Sequence, residues 1–151
     1  MLFGIKLKKP WVCDGMDIID LDGKVQKWQL IGHIAKGSRK NKSELHLQAR
    51  ETIRNIFPTY QILEEVPIPL RRTEILYLDF YLPLAKICIE VHGEQHYKYV
   101  PFFHQNKLNF LKHKKRDREK KNWCETNEIG FIELPYNKIS EWEDIINDQN
   151  S

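Results

Sequence analysis

The chain has 151 residues, enough for one domain around one core, and at 41% hydrophobic and 30% charged its composition excludes a disordered protein. No apolar run approaches the roughly 20 residues of a membrane-spanning helix, and the apolar part of MLFGIKLKKPW is too short for a secretory signal. The net charge of +3 is uneven: residues 107 to 121 carry eight Lys or Arg against Asp117 and Glu119, a local +6, which leaves the remainder at −3.

Residues 1 to 42 read as an N-terminal β-rich extension and linker. IIDLDGKVQKWQLI (18 to 31) places a turn-like Asp22-Gly23 between β-prone stretches and predicts a hairpin. Asp20-Leu21-Asp22-Gly23 resembles the start of a calcium loop but lacks the later ligands, so an ordinary turn is expected. Trp11, Trp28 and Lys6 to Lys9 are positioned either to grip a polyanion or, for the tryptophans, to pack on a sheet. KGSRKNK (36 to 42) reads as the linker.

Ser43 is suited to cap a helix from Glu44 to about Phe57, with Leu45, Ala49, Ile53 and Ile56 on its apolar face and Pro58 ending it. A strand is expected at 60 to 68. ILYLDFYL (75 to 82) alternates, which puts Leu76, Leu78, Phe80 and Leu82 on one face and Tyr77, Asp79 and Tyr81 on the other. Pro83 to Ala85 make a turn into a strand at 86 to 92, with Ile87, Ile89 and Val91 opposed to Cys88, Glu90 and His92. A long basic helix from Leu108 to Asn127 is expected to stop at Gly130. FIELP (131 to 135) forms a last strand, and residues 138 to 151 a short C-terminal helix and tail with Ile139, Trp142 and Ile146 inward. The widely spaced Cys13, Cys88 and Cys124 predict free thiols in a reducing cytoplasm and offer no zinc-ligand spacing.

The stretch IEVHGEQHY (89 to 97) breaks this plain pattern. Two acids, two histidines and a glycine interrupt a good strand. If 75–82 and 86–92 form an antiparallel hairpin with Leu82 opposite Ile87, Asp79 faces Glu90 and Tyr77 faces His92. Opposed side chains have Cβ atoms about 5 Å apart. Two carboxylates that close repel unless a proton or cation joins them. Their oxygens suit Mg²⁺ or Mn²⁺, and such an ion activates water and stabilises charge on a phosphate. Gly93 lets the chain turn or approach a ligand, and brings His96 within reach; Glu94 is expected in solvent.

Together YLDFYLPLAKICIEVHGEQHY, HKKRDREKKNW and EIGFIEL resemble the PD-(D/E)xK nuclease superfamily, above all its very-short-patch-repair (Vsr-like) branch, which includes the EDxHD homing endonucleases. The likeness covers about residues 43 to 135. It implies a restriction-endonuclease-like α/β core, α-β-β-β-α-β with a mixed central sheet flanked by helices, over residues 43 to 137. It implies a catalytic set of Glu44, Asp79, Glu90, His96 and Asp117, with Asp79 and Glu90 holding Mg²⁺ (Mn²⁺ substituting). Two departures stand out. The lysine of E-x-K is absent and His92 occupies its place, as an electrostatic helper or as a strand residue. His92 and His96 are also four apart, one closer than in a repair enzyme.

The expected activity is metal-dependent hydrolysis of double-stranded DNA, with Lys114, Lys115, Arg116, Arg118, Lys120 and Lys121 as phosphate contacts. The alternatives are a non-catalytic nucleic-acid-binding protein that kept a nuclease fold, and an interaction protein whose basic helix meets an acidic partner. A monomer or homodimer, no membrane association and a cytoplasmic setting, in a bacterial cell or phage-infected host, complete the expectation.

Overall fold

A computed structural model describes residues 15–30, 33–34 and 42–150. Trp11, Cys13, Lys6 to Lys9 and all but the end of the 36–42 segment lie outside the described residues. The described chain is a mixed α/β fold: a mixed five-stranded sheet with helices on both faces, and a two-stranded hairpin beside it.

The hairpin pairs β1 (Met16–Ile19) with β2 (Val25–Trp28). Gly23 supplies the positive φ of 77° that its turn requires. The Asp20 carboxylate accepts from the amides of Asp22 and Lys24 at 2.9 Å each and from Gln26 Nε2 at 2.6 Å. Its oxygens are therefore committed to the turn. Trp28 is buried between Trp123 and Tyr81, each ring 5.1 Å away, and donates to Pro67 O at 2.9 Å. It packs on the sheet, the second of its two expected fates. With Ile18 and Leu30 it joins the main core, so the hairpin and the five-stranded sheet share one interior.

The main sheet runs β3 (His33–Ile34), β4 (Leu63–Arg71), β5 (Glu74–Leu82), β6 (Ile87–His92) and β7 (Gly130–Pro135). Each of the first four is antiparallel to its neighbour, and β7 lies parallel to β6. β4 starts and ends later than the expected 60 to 68. It tolerates Pro67 and Pro69 because β3 pairs only with Leu63 and Glu64, leaving the rest of that edge without a backbone partner in β3.

Among the described residues there are four α-helices: α1 (Glu44–Ile56), the short α2 (Pro101–His104) packed on α3, α3 (Lys107–Thr126) and α4 (Trp142–Asn150). Ser43 caps α1, accepting from the His46 amide at 3.1 Å. α1 and α4 cover one face through Ala49, Ile53, Trp142 and Ile146. α3 covers the other through Trp123 and Cys124. α3 ends at Thr126 with Asn127 as its C-cap, ahead of Glu128 with φ 58°; Gly130, expected as its stop, is instead the first residue of β7. The short α2 was not legible in the sequence pattern, and Ile139 at the start of the C-terminal segment is exposed.

β5 departs from plain alternation in a way that matters. Leu76 and Leu78 pack on the α3 side, whereas Phe80 and Leu82 pack on the α1 side. The expected single apolar face is split at Asp79. Opposite it, Glu65 has φ 53°, and the Glu65/Asp79 pair is missing from a ladder that holds on either side, at Glu64↔Phe80 and Val66↔Leu78. A left-handed residue reverses the facing of the strand that contains it, at a cost that a bulky side chain rarely meets without cause.

Candidate active site

The β5–β6 ladder pairs Leu82↔Ile87, Tyr81↔Cys88 and Phe80↔Ile89, which is the register the sequence implies. The next pair is Asp79 with Glu90, and there side chains replace the backbone bonds. Glu90 Oε2 accepts from the Asp79 amide and Asp79 Oδ2 accepts from the Val91 amide, both at 2.9 Å. The expected apposition of Tyr77 and His92 does not form: Tyr77 is exposed opposite Pro67, and His92 is buried beside Pro135 of β7. The ladder has ended at the acids, so the strands no longer hold that register.

Glu90 is 1% exposed, and burial together with the Glu90 charge pushes Asp79 up to about 8. From α3, Lys120 Nζ donates to Glu90 Oε1 at 2.8 Å. Burial opposes the charge on Lys120, but Glu90 and Asp79 outweigh it and hold the ammonium above the usual lysine range. Lys120, expected as a phosphate contact on the helix surface, is thus an inward cation of the acid pair. The oxygens of two facing carboxyl groups, balanced by one ammonium, form a donor set that a hard dication fits.

After β6, Gly93 is buried and extended, and a Cβ there would meet Gln95 Oε1 at 2.5 Å. That contact is with the end of a flexible side chain, and the backbone angle of Gly93 is ordinary, so neither feature demands glycine there. A single 3₁₀ turn, Glu94–His96, then folds the chain back, with Glu94 exposed as expected. His96 stacks on His92, ring centres 4.1 Å apart and planes 4° from parallel. His96 Nδ1 donates to Asp117 Oδ2 at 2.8 Å, and His92 Nδ1 pairs with the Glu133 carboxylate. Burial works against the Asp117 charge, but the His96 hydrogen bond holds its carboxyl below the usual range. The His92 hydrogen bond does the same for Glu133, against burial. Both imidazoles are oriented by a carboxylate, the arrangement that fixes a histidine tautomer.

His96 and Asp117 stand between two clefts. One, of about 740 Å³, is lined by Asp79, Lys120, Glu65 and Arg116 as well as by that pair. The other, of about 480 Å³, adds His92, Glu133 and the cations Lys114, Arg118, Lys121 and Lys138. Of the expected site residues, Asp79, His96 and Asp117 therefore share one cleft, with Glu90 immediately behind Asp79. Glu44 does not join them: it is exposed in the first turn of α1 and lines neither cleft. Lys115 is exposed with its ammonium 3.7 Å from Glu119.

Two contributors, Glu133 and Glu65, were missed at the sequence level, and Lys120 was expected only as a phosphate contact. Lys120 lies one helical turn beyond Asp117, so helical spacing alone would have placed both on one face. Glu133 is opposite Glu90 in the parallel β6–β7 ladder, a pairing that needs the sheet order. Glu65, tied to Lys42, carries no sequence signal for its backbone angle.

No protein-family model matches the chain, and no solved structure matches it significantly. It is 43% identical over 61 residues to uncharacterized protein 307L of Invertebrate iridescent virus 6. It is 36% identical over 61 residues to uncharacterized protein 033L of Invertebrate iridescent virus 3. A third similarity is 40% identity over 62 residues to uncharacterized protein 094L of Frog virus 3 (isolate Goorha). Each match covers 40% of this chain, and the chain spans only 31% to 40% of the length of these curated relatives. Among the described residues, no helix is long and apolar enough to cross a membrane.

Proposed function

We propose that the protein is a metal-dependent DNA endonuclease of the PD-(D/E)xK kind, close to the very-short-patch-repair and EDxHD branch. The observation that carries this reading is the meeting of the Asp79–Glu90 acid pair with the His96–Asp117 pair in one cleft beneath a basic helix. The element order α1-β4-β5-β6-α3-β7 is in keeping with the restriction-endonuclease-like core.

On this reading Asp79 and Glu90 hold Mg²⁺, or Mn²⁺ in its place. Bound there, the ion supplies positive charge to the phosphate under attack and makes water a readier nucleophile. His96 takes the proton from the attacking water, and Asp117 keeps its imidazole in the accepting tautomer. Lys120 supplies, from the helix, the ammonium that E-x-K would place on the strand. His92 positions His96 by stacking on it. Arg116, Lys114, Arg118 and Lys121 contact the duplex backbone on either side. Because the relatives are viral, we place the activity in an infected host cell.

Supercoiled plasmid incubated with the purified protein and Mg²⁺ or Mn²⁺ tests the reading. The wild type nicks or linearises it, while Asp79→Ala and His96→Ala remain folded and leave it intact. Undiminished cutting by the Asp79 variant, or metal-independent DNA binding without any cutting across a randomised duplex library, overturns the proposal.

A further inference from the structure

The molecule carries a second donor set, chemically unlike the acid pair. His92, His96 and Asp117 each offer one ligand atom, and these atoms lie within 4.8 Å of one another. Two are imidazole nitrogens. Nitrogen donors favour zinc and its neighbours over magnesium, whereas the oxygen-only Asp79–Glu90 pair has the opposite preference.

The local construction suits a metal. His96 Nδ1 and Asp117 Oδ2 already stand 2.8 Å apart with a proton between them, which a cation can displace. The His92 ring is buried and held by Glu133, the carboxylate–histidine arrangement that orients metal-binding imidazoles. The two rings stand face to face 4.1 Å apart, and the adjoining cleft of about 480 Å³ is lined by His92, His96 and Asp117 together. Zinc at about 2.0 Å from each donor needs the ligands about 3.3 Å apart. Closing the widest pair by roughly 1.5 Å and tilting the His96 ring, now 4° from parallel to His92, toward the common ion achieve that, and His96 sits in a short turn rather than in the sheet.

We infer that His92, His96 and Asp117 form a binding site for a zinc-class divalent cation, and that zinc there blocks DNA hydrolysis by taking the His96 imidazole and its Asp117 partner. The binding half stands on the donor set alone; the inhibitory half rests on the nuclease reading. The two sites differ in metal preference yet stand on one cleft wall, so zinc acts as an off-switch while magnesium supports turnover.

Calorimetric titration of the full chain with Zn²⁺ tests binding directly. One ion is expected, with affinity falling at least tenfold in His92→Ala and in Asp117→Asn but unchanged in Asp79→Ala. Should His92→Ala fail to fold, the absorption spectrum of the Co²⁺-loaded wild type decides: nitrogen and oxygen ligation supports the site, and a thiolate charge-transfer band places the metal on cysteine and overturns it. Equal zinc affinity in all three variants and the wild type also overturns it. Zinc added to a Mg²⁺-dependent cleavage assay should lower the rate at least tenfold. Zinc binding at the cluster with no cleavage under any condition refutes the nuclease reading and the switch but leaves the site standing. Cleavage without zinc affinity refutes the site alone.

Discussion

Asp79 and Glu90 are joined across β5 and β6 without a backbone–backbone bond between them: Glu90 Oε2 accepts from the Asp79 amide at 2.9 Å, and Asp79 Oδ2 from the amide of Val91. The sheet thus stops being a ladder where it begins to hold two acids. The left-handed Glu65 across β4 marks the same place, and strain of that sort collects at functional sites.

This crowding has a pH signature. Asp79 is pushed up to about 8 in the fold, from 3.8 in the unfolded chain, so the native state keeps a proton that the unfolded state releases between those values. Its contribution to stability is full below pH 3.8, declines as pH rises and is gone above about 8. Denaturant midpoints at about pH 5 and about pH 9 should therefore fall further for the wild type than for Asp79→Asn. Saturating Mg²⁺ should abolish the difference, because the ion replaces the proton.

Lys120 is the second test of the pair. Lys120→Met leaves Glu90, 1% exposed, without its ammonium and should cost about 3 kcal/mol in metal-free buffer. Mn²⁺ should bind this variant more tightly than the wild type, since one competing positive charge is gone. Single-turnover cleavage should nevertheless fall about 10²-fold, the usual loss when a charge-stabilising donor is removed.

The basic helix divides its cations between surfaces. Lys114, Arg118 and Lys121 line the smaller cleft, while Lys120 is turned inward. Replacing those three with Ala should reduce the slope of log affinity against log salt by about 3, roughly one unit per phosphate contact. Lys115→Ala, whose ammonium lies near Glu119, should change the slope less. Fluorescence anisotropy of a labelled duplex across a salt series measures both.

Trp28 separates packing from DNA contact. It is buried against Trp123 and Tyr81, so Trp28→Ala should destabilise the fold by about 3–5 kcal/mol. Below its melting temperature the variant should keep wild-type duplex affinity. Thermal melts and the same anisotropy assay separate the two outcomes.

Legibility in the sequence followed the range of the interaction. The capped α1, the β5–β6 register and the basic helix rest on local periodicity and turn chemistry, and they stand within one or two residues of expectation at most ends. Asp79 and Glu90 met because the register of one tight hairpin sufficed to place them. The inward turn of Lys120, the Glu133 partner of His92 and the face reversal at Glu65 depend on contacts between elements distant in sequence. Glu44 shows the converse: a motif match put it in the site, yet α1 presents it to solvent and lines the sheet with His46 and Arg50 instead. Those two grip buried Glu64 at 2.7 and 2.9 Å, a cluster that alternation in β4 alone did not announce.

The proposed nuclease activity depends on a divalent ion bound by the acids of β5 and β6. Titrating the protein with Mn²⁺ while following the free ion by electron paramagnetic resonance measures this directly. The prediction is one ion displaced by excess Mg²⁺, retained in His92→Ala and lost in both Asp79→Asn and Glu90→Gln. Unchanged Mn²⁺ binding in folded Asp79→Asn and Glu90→Gln would contradict it.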